Sequence, residues 1–81
     1  MPMHWFTPPV VVQADRPEVT YSVNHVERAA EFLLAWKAIG AGPKWQDAVR
    51  ACTAVLNGAG TIDEAREAFE EAARECGRLI G

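Results

Sequence analysis

Residues 45–56 read WQDAVRACTAVL, and apolar side chains recur there every three to four positions. This spacing is typical of a helix that is apolar along one whole face. Pro43 suits the first turn of such a helix, and Asn57 and Gly58 are residues that end one. We therefore expect a central helix against which the other elements pack. Its apolar positions are Trp45, Ala48, Val49, Cys52, Val55 and Leu56.

A second helix is predicted before the central one. Apolar residues from Val26 to Trp36 share one face, and the pattern ends near Ala38. Asn24 is a good N-cap residue, and Glu27 follows at the spacing of a capping box. We expect the helix to begin directly after Asn24.

A third helix is predicted after the central one. Thr61 and Glu64 have the spacing of a capping box, and the apolar face that follows is mostly alanine, with Phe69 as its large side chain. The turn between the central helix and the third helix is short, which favours antiparallel packing.

The first part of the chain predicts a β-hairpin. Val10–Val12 is a run of β-branched residues, and residues 19–23 alternate apolar and polar side chains. Residues 14–18 have the composition of a turn. Pro8 and Pro9 are expected to precede the first strand, because proline cannot donate to a ladder.

The predicted fold class is α+β: an N-terminal β-hairpin packed on a layer of three helices, in the order β-β-α-α-α. The 81 residues predict one domain, spanning residues 1–81. Such a chain buries only about 60 to 65% of its unfolded surface. The apolar tail Leu79–Ile80 either caps the core or adds a short third strand at the hairpin edge.

Composition narrows the class of protein. The net charge of −3 argues against nucleic acid or an anionic membrane surface as a partner. The predicted third helix carries six acidic residues against two arginines, which would repel DNA. No run of apolar residues is long enough to cross a bilayer, and we expect a cytoplasmic protein with reduced thiols.

The sequence predicts no enzyme, metal site or cofactor. His4 and His25 are the only histidines, and neither has a metal-ligand spacing with a cysteine. Cys52 and Cys76 lie on apolar helix faces, where burial disfavours the thiolate. Ser22, the only serine, has no nucleophile-elbow motif around it.

Four blocks of the chain, in order and spacing, resemble the small bacterial family Domain of Unknown Function 982. The resemblance covers nearly the whole chain, and it implies a small bacterial α+β domain without supplying an activity. Lys37 stands where many members have proline. The blocks are Trp5-Phe6-x-x-Pro9-Val10, Ala29-Ala30-x-x-Leu33-x-x-Trp36, Gly42-Pro43-x-Trp45-x-x-Ala48-x-x-Ala51-Cys52 and Glu64-Ala65-Arg66-x-Ala68-Phe69-x-x-Ala72.

Two functional hypotheses remain. The first is a non-catalytic interaction module, a homodimer or a binder of another protein. Its contact is the hairpin edge, because an unpaired strand and exposed aromatic residues favour association. The candidate interface residues are Trp5, Phe6, Val10 and Val12.

The alternative is a small-molecule sensor. Its pocket would lie between the hairpin and the helices and would be lined by Tyr21, Trp36 and Trp45. Few polar residues converge on these positions, which is unusual for a ligand pocket.

Overall fold

The structure is a computed structural model that describes residues 4–13, 18–40 and 42–80. Its order of elements, a two-stranded hairpin followed by three helices, confirms the predicted α+β class. The turn expected at residues 14–18 lies, except for Glu18, outside the described residues. The elements are β1 (Trp5–Gln13), β2 (Thr20–His25), α1 (Val26–Gly40), α2 (Pro43–Leu56) and α3 (Ile62–Glu75).

The hairpin packs on α1 and α3, and α2 packs on the same two helices. The prediction that the other elements pack against the central helix is therefore confirmed for α1 and α3 and wrong for the hairpin. The bulkiest buried helical side chains, among them Leu33, Trp36 and Phe69, belong to α1 and α3. The buried residues of α2 are the smaller Ala48, Cys52 and Val55.

The two strands are antiparallel, and their register is interrupted between Trp5 and Val10. Pro8 and Pro9 lie inside this irregular part of β1, so the prediction that they precede the strand is wrong. Proline is tolerated there because a residue outside the regular ladder needs no N–H donor.

The prediction of Asn24 as the N-cap of α1 is also wrong. Asn24 belongs to β2, and α1 begins at Val26. The imidazole of His25 takes the capping role, since its Nδ1 accepts a hydrogen bond from the Arg28 N–H at 3.1 Å. The backbone at Asn24 is thus held in the strand, where its side chain cannot cap.

The capping box at the start of α3 is confirmed. The Glu64 N–H donates to Thr61 Oγ1 at 3.2 Å, and the Thr61 N–H donates to Glu64 Oε1 at 3.3 Å. At the end of α2, Gly58 has a φ of 77°, the left-handed conformation that glycine adopts without strain.

The tail after α3 returns to the hairpin but adds no third strand to the described part of the chain. Leu79 forms a single antiparallel bridge with Val12. None of the helices within the described ranges is long and apolar enough to cross a membrane.

Candidate protein-interaction site

The outer edge of β1 is closed by other parts of the same chain. The Ile80 N–H donates to the Val11 carbonyl at 3.0 Å, and the Gln13 N–H donates to the Arg78 carbonyl at 2.7 Å. Arg66 of α3 reaches the same strand, where its Nε donates to the Pro8 carbonyl at 2.7 Å. Three points along β1 are therefore satisfied from within the chain.

These contacts also establish which backbone groups face outward on β2. In an antiparallel ladder, neighbouring residues direct their N–H and C=O groups to opposite edges. The backbone carbonyl of Val11 faces the tail, so the backbone groups of Val10 and Val12 face β2. These two residues pair with Val23 and Tyr21, respectively. The residues that alternate with Tyr21 and Val23 therefore face away from β1.

Thr20 and Ser22 are the outward-facing residues of β2. Within the described residues, no backbone partner closes this edge, and the sheet ends at β2. Strand edges in monomeric proteins are commonly protected by lysine, proline or a bulge. Residues 20–25 contain neither lysine nor proline, and the side chains of Thr20 and Ser22 are exposed. We call this strip of backbone the open edge.

Apolar surface lies beside the open edge. Tyr21 is 50% exposed, and its ring centroid lies 5.6 Å from that of Phe32 on α1. Val19, just before the strand, is 38% exposed. A shallow cavity of about 240 Å³ adjoins Tyr21, and its other lining residues, all on α1, are Arg28, Glu31, Phe32 and Ala35.

The predicted interface residues do not share a surface. Phe6, Val10 and Val12 are buried in the core, so their side chains are unavailable to a partner. Alternation in β1 supplies the reason, because the inward side chains of Val10 and Val12 flank the partly exposed Val11. This period-two signal was present in the sequence, but the continuous valine run concealed it.

Trp5 alone of the four predicted residues is exposed, at 57%. Its ring lies edge-on to that of His25, with the centroids 5.1 Å apart. Its part in an interface stays a prediction. The residues that sequence reasoning missed are those of the open edge, Thr20 and Ser22, together with Tyr21.

The two histidines, distant in sequence, come together on either side of Glu27. His4 Nδ1 lies 2.7 Å from Glu27 Oε2, and His25 Nδ1 lies 3.6 Å from Glu27 Oε1. Desolvation acts to raise the pKa of Glu27. Hydrogen bonds from the side chain and amide of His4, and from the amide of Glu27 itself, outweigh this effect and lower the pKa to about 2. This carboxylate therefore ties the start of β1 to the start of α1.

The three residues predicted to line a sensor pocket have different surroundings in the described part of the chain. Trp36 is buried and stacks on Phe69 with the ring centroids 5.3 Å apart. Trp45 donates from Nε1 to the Leu33 carbonyl at 2.6 Å. Tyr21 instead lies on the outer surface, beside the shallow cavity.

Neither thiol has the surroundings of a nucleophile. Burial raises the pKa of Cys52 to about 11. Burial and the nearby Glu75 carboxylate raise the pKa of Cys76, against the opposing effect of Arg78. Within residues 4–13, 18–40 and 42–80, no three His, Cys, Asp or Glu side chains are arranged to hold a metal ion.

A groove of about 340 Å³ between α2 and α3 is lined by four carboxylates and one lysine. Its charged lining consists of Lys44, Asp47, Glu64, Glu67 and Glu71. Elsewhere on α3 the carboxylates pair locally, as where Arg74 Nη2 lies 3.9 Å from Glu70 Oε1. Such exposed pairs contribute about 0.2–1 kcal/mol each, so the charge of α3 is mainly that of a solvated helix face.

The fold and the site define a small α+β domain with one closed and one open strand edge. The chain belongs to the family described as "Protein of unknown function (DUF982)", whose model matches residues 8–80. This match agrees with the resemblance seen in the sequence blocks. Comparisons with curated proteins and with solved structures gave no match.

Proposed function

We propose that this chain is a non-catalytic interaction module that binds another protein chain, a second copy or a different protein, along the open edge of β2. The observation that carries the proposal is the outward backbone of Thr20 and Ser22, for which the described residues supply no partner. Addition of a strand to such an edge is a common mode of protein recognition, in which main-chain hydrogen bonds give affinity.

The surface beside the edge supports the same proposal. An added strand covers the half-exposed Tyr21 and the apolar part of the adjoining cavity at Phe32 and Ala35. Exposed aromatic surface of this kind is frequent at interfaces. The raised pKa values of both thiols argue against either cysteine as a nucleophile.

We also infer a location in the bacterial cytoplasm. Cys52 and Cys76 are free thiols, and a reducing compartment keeps thiols in this state.

The test is a proline at the open edge. Ser22→Pro removes an N–H that has no backbone partner among the described residues, so the helical signal and melting temperature of the monomer stay close to those of the wild-type chain. We expect the Ser22→Pro variant to lose association. This is measured as particle mass by light scattering or as binding to the immobilised chain. Ser22→Thr keeps the N–H and is the matched control, which associates like the wild type. Association unchanged in a folded Ser22→Pro variant contradicts the proposed function.

A further inference from the structure

We infer that the occupant of the open edge is a second copy of this chain, paired β2 to β2 about a two-fold axis at Tyr21. This inference rests on the proposed function, since it names the partner of the same edge. The arrangement extends the hairpin to a four-stranded antiparallel sheet, with the two covered β1 strands outermost.

The backbone pattern permits this axis. With Tyr21 opposite Tyr21 of the second copy, Thr20 of each copy lies opposite Ser22 of the other. Thr20 and Ser22 are the residues whose N–H and C=O groups face outward, so both pairs can exchange two hydrogen bonds. The two tyrosines then form the closely spaced pair between them.

The exposed apolar residues agree with the same register. Val19 and Tyr21 share a face of the chain with Val23, because side chains alternate along a strand. In this register Val19 of one copy lies opposite Val23 of the other, and the tyrosines meet at the axis. This register therefore covers both exposed apolar side chains, Val19 at 38% and Tyr21 at 50% exposure.

Charge also permits a second copy at this surface. The cavity beside Tyr21 has one cation and one anion at its rim, Arg28 and Glu31, with Arg28 Nη1 and Glu31 Oε2 3.3 Å apart. A rim with both signs does not repel its own copy, whereas the acidic groove between α2 and α3 would. The small core of an 81-residue chain gives a further reason for burying surface against a second copy.

Cysteine pairing tests the partner and the register together. Thr20→Cys and Ser22→Cys are prepared separately in a Cys76→Ala background, mixed in equal amounts and oxidised with glutathione disulfide. In the proposed register, position 20 of one copy and position 22 of the other are directly opposed, with Cα atoms about 5.5 Å apart, which a disulfide can span. The same position in the two copies is a diagonal pair, about 7–8 Å apart. The mixture should cross-link about tenfold faster than either variant alone.

Each other outcome overturns the inference. Fast cross-linking of Ser22→Cys alone places the axis at Ser22 and contradicts the register. A dimer in light scattering without cross-links in the mixture shows that another surface joins the copies. A monomer over a hundredfold range of concentration excludes a second copy. In that case the proposed function survives if a different protein binds the wild type and not Ser22→Pro, and fails if Ser22→Pro binds it equally well.

Discussion

The two outer edges of the hairpin contrast with each other. Along β1, the tail after α3 supplies hydrogen bonds to Val11 and Gln13, and Arg66 supplies one to Pro8. Along β2, the backbone of Thr20 and Ser22 meets no partner among the described residues. Within the described residues, the fold therefore closes one edge by itself and leaves the other without a backbone partner.

The largest expected effect separates core from surface at the start of β1. Phe6→Ala empties a buried position and should lower the free energy of unfolding by about 3–5 kcal/mol. Trp5→Ala, the matched control at an exposed neighbour, should change it by less than about 1 kcal/mol. Urea denaturation of both variants measures the difference. Equal losses would contradict the separate roles of the two aromatic residues.

A smaller effect is expected from proline at the closed edge. Ile80→Pro removes the N–H that donates to the Val11 carbonyl and should destabilise the chain by about 1–3 kcal/mol. Since the Ile80 side chain is 51% exposed, the loss comes mainly from the backbone. Thermal melts of Ile80→Pro and Ser22→Pro compare the two edges directly. A melting temperature unchanged in Ile80→Pro would mean that the tail does not close β1.

The smallest effect concerns pH. Folding lowers the pKa of Glu27 from 4.5 to about 2. The ionised carboxylate therefore stabilises the fold fully above about pH 4.5, and this stabilisation is lost as the pH falls towards about 2. Glu27→Gln should therefore be less stable than the wild type at about pH 6, and the gap should narrow between about pH 4.5 and about pH 2. The difference in stability is measured from the urea midpoints of both chains across this pH range. A gap independent of pH would contradict the role of the ionised carboxylate.

The helices were predictable because their signals are local. The apolar spacing of residues 45–56 and the Thr61–Glu64 capping box act within a few residues of the chain, and both appear in the structure. The start of α1 was not predicted, because the backbone of Asn24 is held in the β ladder and His25 takes its place. Pairing across the chain overrode a local preference there.

The site was predictable only in part, because it depends on contacts between distant segments. The hairpin edge was expected to be the contact, but the edge that stays open is decided by the return of the tail to Val11 and Val12. The direction of Phe6 depends on the irregular register between Trp5 and Val10. The apolar tail was compatible with capping the core or with joining the hairpin edge, and Pro8 and Pro9 do not show which way Phe6 turns.

Amide hydrogen exchange, followed residue by residue over a hundredfold range of concentration, tests the difference between the two edges most directly. The amides of Gln13 and Ile80 should be protected to the same degree at every concentration, because their acceptors belong to the same chain. The amides of Thr20 and Ser22 should exchange fast when dilute and gain protection as concentration rises. Fast exchange of Thr20 and Ser22 at every concentration would contradict closure of β2 by a second copy.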